Sequence, residues 1–222
     1  MLPTSQLAHL TGRKNPVGTD NQQLINLYSF QPWPVIEQAF ADHGSYTPSA
    51  ALAKQQDYQD NGDNEWWNAL QPAYQWIISE MTRRGLSQPS EDATPLWAWM
   101  QWVDSQGNVR REPDRNDESF ESDRDSDLIH LRIPADRVLL TDFEAFHWVI
   151  NNWPLAPKES TDWTDEQYDK WLDEHWDDSP EQKQQQWPDR VIVTPDDLPH
   201  RWVQACVWTI APDDVISVNR VE

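Results

Sequence analysis

The sequence predicts a single α+β domain whose sheet is mixed or mostly antiparallel, with several helices packed on it. Three observations lead there. Strand-like runs and helical periods are interspersed without the regular alternation that a doubly wound fold requires. The chain has 222 residues, enough for one real core. Its fifteen tryptophans supply more aromatic surface than a chain that stays unfolded would carry.

Residues 1 to 23 hold two of the six glycines and two of the seventeen prolines and show no sustained period. They read as a flexible N-terminal arm, with the domain spanning 24 to 222. "LINLYSF" is the expected first strand. Pro34 suits a first helical position, Val35, Ile36, Ala39 and Phe40 recur at helical spacing, and His43 with Gly44 closes the helix. "QQDYQDNGDNEWW" reads as a polar connection. Pro72 then opens a helix with the face Tyr74, Ile77, Ile78 and Met81, ended by Arg83, Arg84 and Gly85. "PLWAWMQW" reads as a strand buried on both faces, turning through "DSQGN".

Residues 112 to 127 carry eight acids against two arginines and read as a mobile acidic insertion. "LIHLRI" alternates as a strand, Pro134 interrupts it, and "RVLL" resumes it. Thr141 and Glu144 form the expected capping box of the next helix. A second acidic insertion covers 158 to 187, where Tyr168, Trp171, Leu172 and His175 keep the spacing of a surface helix. Ser179 and Pro180 start another short helix. "RVIVT", "WVQACVWTI" and "VISV" close the chain as strands.

With 17 basic against 38 acidic residues the formal charge is -21, a field that repels nucleic acid duplexes and anionic membranes. The same charge suits a non-catalytic protein that engages a basic partner by imitating a phosphate surface, or reflects solubility or a salty habitat alone. Glu159 to Glu181 hold ten acids and one lysine, and Trp163, Trp171 and Trp176 can anchor such a contact. No window approaches the roughly 20 apolar residues of a membrane span. Lone Cys206 cannot form an internal disulfide, and no basic segment precedes an apolar stretch of signal length, so the expected compartment is the cytoplasm.

"DYQDNGDNEWWN" resembles a calcium loop with Gly62 at the turn, but Gln59 and Asn68 stand where carboxylates are needed. No two histidines lie three or four apart, so no metal site is expected. Gly-x-Ser-x-Gly, Gly-x-Gly-x-x-Gly and Walker-type loops are all missing from the sequence. In "LLTDFEAFHWVINNWPL", Glu144, His147 and Asn151 share one helical face beside the apolar Phe143, Phe146, Val149 and Ile150. That row can bind a polar ligand or be a solvated edge, and Asp142 can hold a ribose hydroxyl or a backbone amide. Trp97 and Trp99 lie on one face of their strand and can stack a flat base or fill the core.

"LYSFQ", "YQWIISEM", "PLWAW", "IPADRVLLTDFEAFHWVINN", "QQQWPDR" and "QACVWTI" together resemble the bacterial and phage domain-of-unknown-function family numbered 3841, over residues 25 to 218. The layout also looks like that of ADP-ribosyltransferase folds: a first strand with Ser29, a helix ending at Gly, a central strand and a late Gln-Ala. That likeness implies an NAD pocket in which Tyr28, Ser29, Gln31, Trp97, Trp99, His147 and Gln204 line one cleft. In the DNA-targeting members of the group the Gln-Ala is followed by a catalytic glutamate. Here Cys206 holds that position, and a thiol cannot stabilise an oxocarbenium-like charge as a carboxylate does.

Overall fold

The computed structural model describes residues 23 to 221 except 197 and 200. Its centre is an eight-stranded antiparallel sheet, so the α+β expectation holds. The strands are β1 (Leu24–Gln31), β2 (Leu96–Val103), β3 (Val109–Arg110), β4 (Asp127–Pro134), β5 (Leu139–Asp142), β6 (Ile192–Val193), β7 (Val203–Val207) and β8 (Val215–Asn219). They run in the order β6-β5-β7-β2-β1-β4-β8, with β3 hairpinned onto β2. The helices are α1 (Trp33–His43), α2 (Ala50–Asn61), α3 (Glu65–Arg83), α4 (Phe143–Ile150), α5 (Asp165–His175), α6 (Pro180–Gln184) and α7 (Trp187–Val191). The expected arm at 1 to 23 lies outside the described residues except for Gln23, whose carbonyl accepts from the Ala135 amide at 2.8 Å.

Alternation along the strands sends apolar side chains to both sides and builds two cores. Ile25, Leu27, Leu96, Ala98, Ile129 and Leu131 gather on one face under Ile36 of α1. Leu139 and Cys206 meet Ile77, Phe146, Val149, Trp187 and Val191 of α3, α4 and α7 on the other. Helix α1 ends as expected, with Gly44 at φ 74° taking the left-handed turn that a side chain resists.

Four expectations need correction. The polar connection is mostly helical: α2 covers its first half and α3 begins at Glu65, ahead of Pro72. Proline inside a helix leaves the carbonyl four residues back unpaired. Here that residue, Asn68, is exposed, so water can take the bond. The cap of α4 is Asp142 and not Thr141: Asp142 Oδ1 accepts from the Ala145 amide at 3.0 Å, while Thr141 stays in β5 with no exposure. The stretch 112 to 127 folds back through a 3-10 turn at Glu118–Asp123, and its Phe120 is fully buried. Arg190 and Val191 of "RVIVT" close α7, leaving only two residues for β6.

The second acidic stretch carries the helices its spacing predicts. Both are closed by reciprocal caps, Thr164 with Gln167 on α5 and Ser179 with Gln182 on α6. Among the described residues no helix is long and apolar enough to cross a membrane.

Candidate functional site

The sheet register lines up one set of sequence candidates. His130 pairs with Tyr28, Tyr28 with Trp99, Trp99 with Gln204, and Gln204 with Thr141, so residues of five strands form one row across one face. Toward β4 the row is partly open. Tyr28 stacks on His130 at 4.5 Å, and His130 Nε2 lies 3.0 Å from Asn26 Oδ1. Burial, and then the Glu112 carboxylate, hold the Tyr28 hydroxyl above its ordinary pKa. Burial also lowers His130, against the pull of Glu112.

Toward β7 the row is covered by aromatic packing. Trp99 meets Phe143 at 5.1 Å, Trp202 at 5.2 Å and Phe120 at 5.8 Å. Trp97, one row along, stacks on Phe146 at 4.8 Å and touches Tyr74 at 6.0 Å. Both indoles are thus engaged by rings of the chain itself. Ser29 and Gln31 fall on the opposite face by strand alternation. The Ser29 hydroxyl donates to the Trp97 carbonyl at 2.7 Å.

On α4 the polar row is exposed. Asn151 donates its amide back to the His147 carbonyl at 2.8 Å, closing the helix, and the His147 ring lies 5.6 Å from Phe143. Asp142 is 4% exposed and receives Arg201 Nη1 at 3.4 Å, while Glu144 lies 3.8 Å from Arg201 Nε. The candidates are therefore divided among three places: the sheet row, its reverse face and the α4 surface.

A separate cleft of about 390 Å³ opens at the β5–β6 edge. Arg84, Lys158, Arg190 and Arg201 line it together with Asp142 and Asp189, so four cations face two carboxylates in a chain of charge -21. Local topology positions the three arginines. Arg84 ends α3, and its Nε reaches Glu80 at 3.3 Å. Arg190 on α7 holds the carbonyls of Ala156 and Pro157 and, at 3.2 Å, Ser160 Oγ. Arg201 enters from the segment before β7, and that segment is pinned by Gln101. A register shift between Trp99 and Gln101 accompanies the burial of Gln101, whose amide donates to the Pro199 and Arg201 carbonyls at 2.6 and 2.9 Å. Burial, and then the neighbouring Arg201, lower the Arg190 pKa. Asp142, Tyr168 and Glu159 act the other way and partly offset these effects.

Sequence reasoning reached Asp142 in this cleft but none of the four cations. They come from separate segments, and no spacing in the chain links them. Thr161 and Thr194 add hydroxyls to the same walls. Among the described residues no group of three or more His, Cys, Asp or Glu is placed to hold a metal.

Cys206 has no exposure, and burial raises its thiol pKa well above the ordinary value. It is a core residue between the sheet and the helices.

No curated protein and no solved structure matches the chain. The family model described as a domain of unknown function (DUF3841) matches residues 26–216, and the chain belongs to that family.

Proposed function

We propose that this protein binds a phosphate-bearing small molecule of the nucleotide class in the β5–β6 cleft, with NAD the member that the transferase likeness implies. The carrying observation is the convergence of Arg84, Lys158, Arg190 and Arg201 on one hollow of about 390 Å³ in a chain of charge -21. A pyrophosphate suits these cations, since guanidinium forks match phosphate oxygens in pairs. The exposed Asp189 carboxylate is an acceptor for ribose hydroxyls, and Thr161 and Thr194 supply short hydroxyls. The reading is of binding: buried Cys206 offers no carboxylate for glycosidic cleavage.

Calorimetry with NAD and with inorganic pyrophosphate tests it. Arg201→Ala should weaken either ligand by about tenfold, the loss of one charge-assisted contact. Gln204→Ala, on the sheet row, should not. Absence of heat at about 5 mM of both ligands with the protein folded would sink the reading. Weakening by Gln204→Ala alone would move the ligand to the sheet row.

A second reading, contact with a basic protein partner, is favoured by one observation. Trp153 and Trp176 are 39% and 46% exposed, with ring centroids 6.3 Å apart, beside the exposed acids Asp173, Glu174 and Asp177. A solvent-facing indole pair with exposed acids close to Trp176 in the chain suits a cationic surface. Capture of a basic partner should fall with salt and with Trp176→Ser. Capture that ignores both contradicts this reading.

A further inference from the structure

A second hollow, of about 300 Å³, lies between α2, α3 and the 86–95 connection and shares no lining residue with the cationic cleft. Trp67 and Tyr74 form its aromatic wall, with ring centroids 6.1 Å apart and planes at 55°. Thr94 lines it, is 6% exposed, and its hydroxyl has no hydrogen-bond partner among the described residues. The backbone fixes this residue in place, because the Thr94 amide donates to the Pro48 carbonyl at 3.0 Å. Burying an unpaired hydroxyl costs free energy, so one beside a cavity gains from a partner that reaches it.

The remaining polar groups define what that partner is. Gln71 and Gln88 each spend one amide hydrogen on the chain, to the Trp67 carbonyl at 3.3 Å and the Ala93 carbonyl at 2.9 Å. Each keeps a second N–H and a carbonyl oxygen. The one charged lining residue is Glu91, so nothing cationic is present for a phosphate. Aromatic walls, amides that both donate and accept, and a buried hydroxyl suit a flat uncharged ring with donors and acceptors on its edge.

We propose that this hollow binds a neutral one- or two-ring heteroaromatic base, with Thr94 Oγ1 and the Gln71 and Gln88 amides reading its polar edge and Trp67 and Tyr74 packing its surface. The site is independent of the phosphate-binding reading.

Saturation-transfer NMR and calorimetry with adenine and with nicotinamide test the assignment. At least one should bind with a Kd around 1 mM, the strength open to a ligand of about ten heavy atoms. Thr94→Val, nearly isosteric, should weaken it about five- to tenfold with thermal unfolding retained. Gln75→Trp alters an exposed residue at the mouth and should abolish binding, whereas Arg201→Ala should leave it unchanged. Failure of both probes to bind the folded protein at about 10 mM overturns the proposal. So does binding that Thr94→Val leaves intact.

Discussion

Phe120→Ala should release the first acidic stretch from the domain. Phe120 is fully buried and is the one large apolar residue of a segment otherwise made of acids, serines, arginines, one asparagine and one proline. Its ring meets Phe30 at 5.5 Å, Trp99 at 5.8 Å, Trp102 at 5.2 Å and Trp202 at 5.6 Å. An aromatic side chain of this kind removes about 150–250 Å² from water, worth roughly 4–6 kcal/mol at about 25 cal/mol per Å². Alanine keeps part of that area and the unfolded chain already buries some, which brings the expected loss to about 3–5 kcal/mol. For a chain of this length the midpoint of thermal unfolding should fall by about 10 °C. Urea unfolding with limited proteolysis is the assay. Cleavage between 112 and 127 should appear below the global transition, because four aromatic neighbours lose their common contact. A loss below about 1 kcal/mol, or a protection pattern like that of the parent chain, would refute the anchoring role.

Two further predictions concern titration and reactivity. His130 has its pKa lowered in the folded state, so between that value and the unfolded value of about 6.5 the unfolded chain binds the extra proton. Stability should therefore decline as pH falls through this window, and His130→Phe, which keeps the stack on Tyr28, should remove that part of the slope. A folded-state NMR titration of His130 above 6.5 contradicts this. The Cys206 thiol, buried and raised in pKa, should resist iodoacetamide at pH 8 until the protein unfolds. Cys206→Glu should fail to fold or lose most of its stability, since it would place a carboxylate among Trp97, Leu139 and Trp208. A stable Cys206→Glu variant would reopen that position as a site for a catalytic acid.

The longer strands were legible because each carries its own signal, alternation or a short apolar run, whereas the two-residue β3 carries none and β6 was read too long. Helix α1 was legible from its ends, Pro34 and Gly44. Helix α2 was not, because "AALAKQQDYQDN" has no apolar stripe and reads like a polar tether. It is held at its ends instead: Ser49 Oγ accepts from the Leu52 amide at 3.2 Å, and Asp57 ties it to the Trp67 amide at 3.0 Å. The start of α3 was misplaced for a related reason. Proline is a strong signal for a first turn, but an exposed turn also tolerates it in a helix interior. The cap of α4 was missed by one residue because threonine, aspartate and glutamate are all good N-terminal signals and only the backbone decides among them. At the cleft, Asp142 could be singled out locally. Arg84, Lys158, Arg190 and Arg201 could not, because their proximity is created by the pairing of β5 with β6 and β7 and by the bonds from Gln101 to the Pro199 and Arg201 carbonyls.

The charge of the chain separates the two functional readings by the sign of their response to salt. A basic partner feels attraction at both long and short range, so its affinity should fall at every step of added salt. A diphosphate feels opposing effects: four nearby cations attract it, while the whole chain, at -21, repels it. With the net charge placed about 20 Å away, near the radius expected for this length, the repulsion of a dianion is roughly 4 kcal/mol at 0.01 M salt and about 1 kcal/mol at 0.1 M. One guanidinium contact at about 4 Å is worth up to about 4 kcal/mol at an effective dielectric of 20 and is screened much less over that distance. Long-range repulsion therefore wins only in dilute buffer. Inorganic pyrophosphate, at least a dianion near neutral pH, should bind more tightly at about 0.1 M than at about 0.01 M salt and weaken again toward 1 M as the arginine contacts are screened, while NAD, a net monoanion through its cationic nicotinamide ring, should show about half that rise in binding free energy. On the phosphate-binding reading, the acidic exterior repels at long range the anion that the cationic cleft holds at short range.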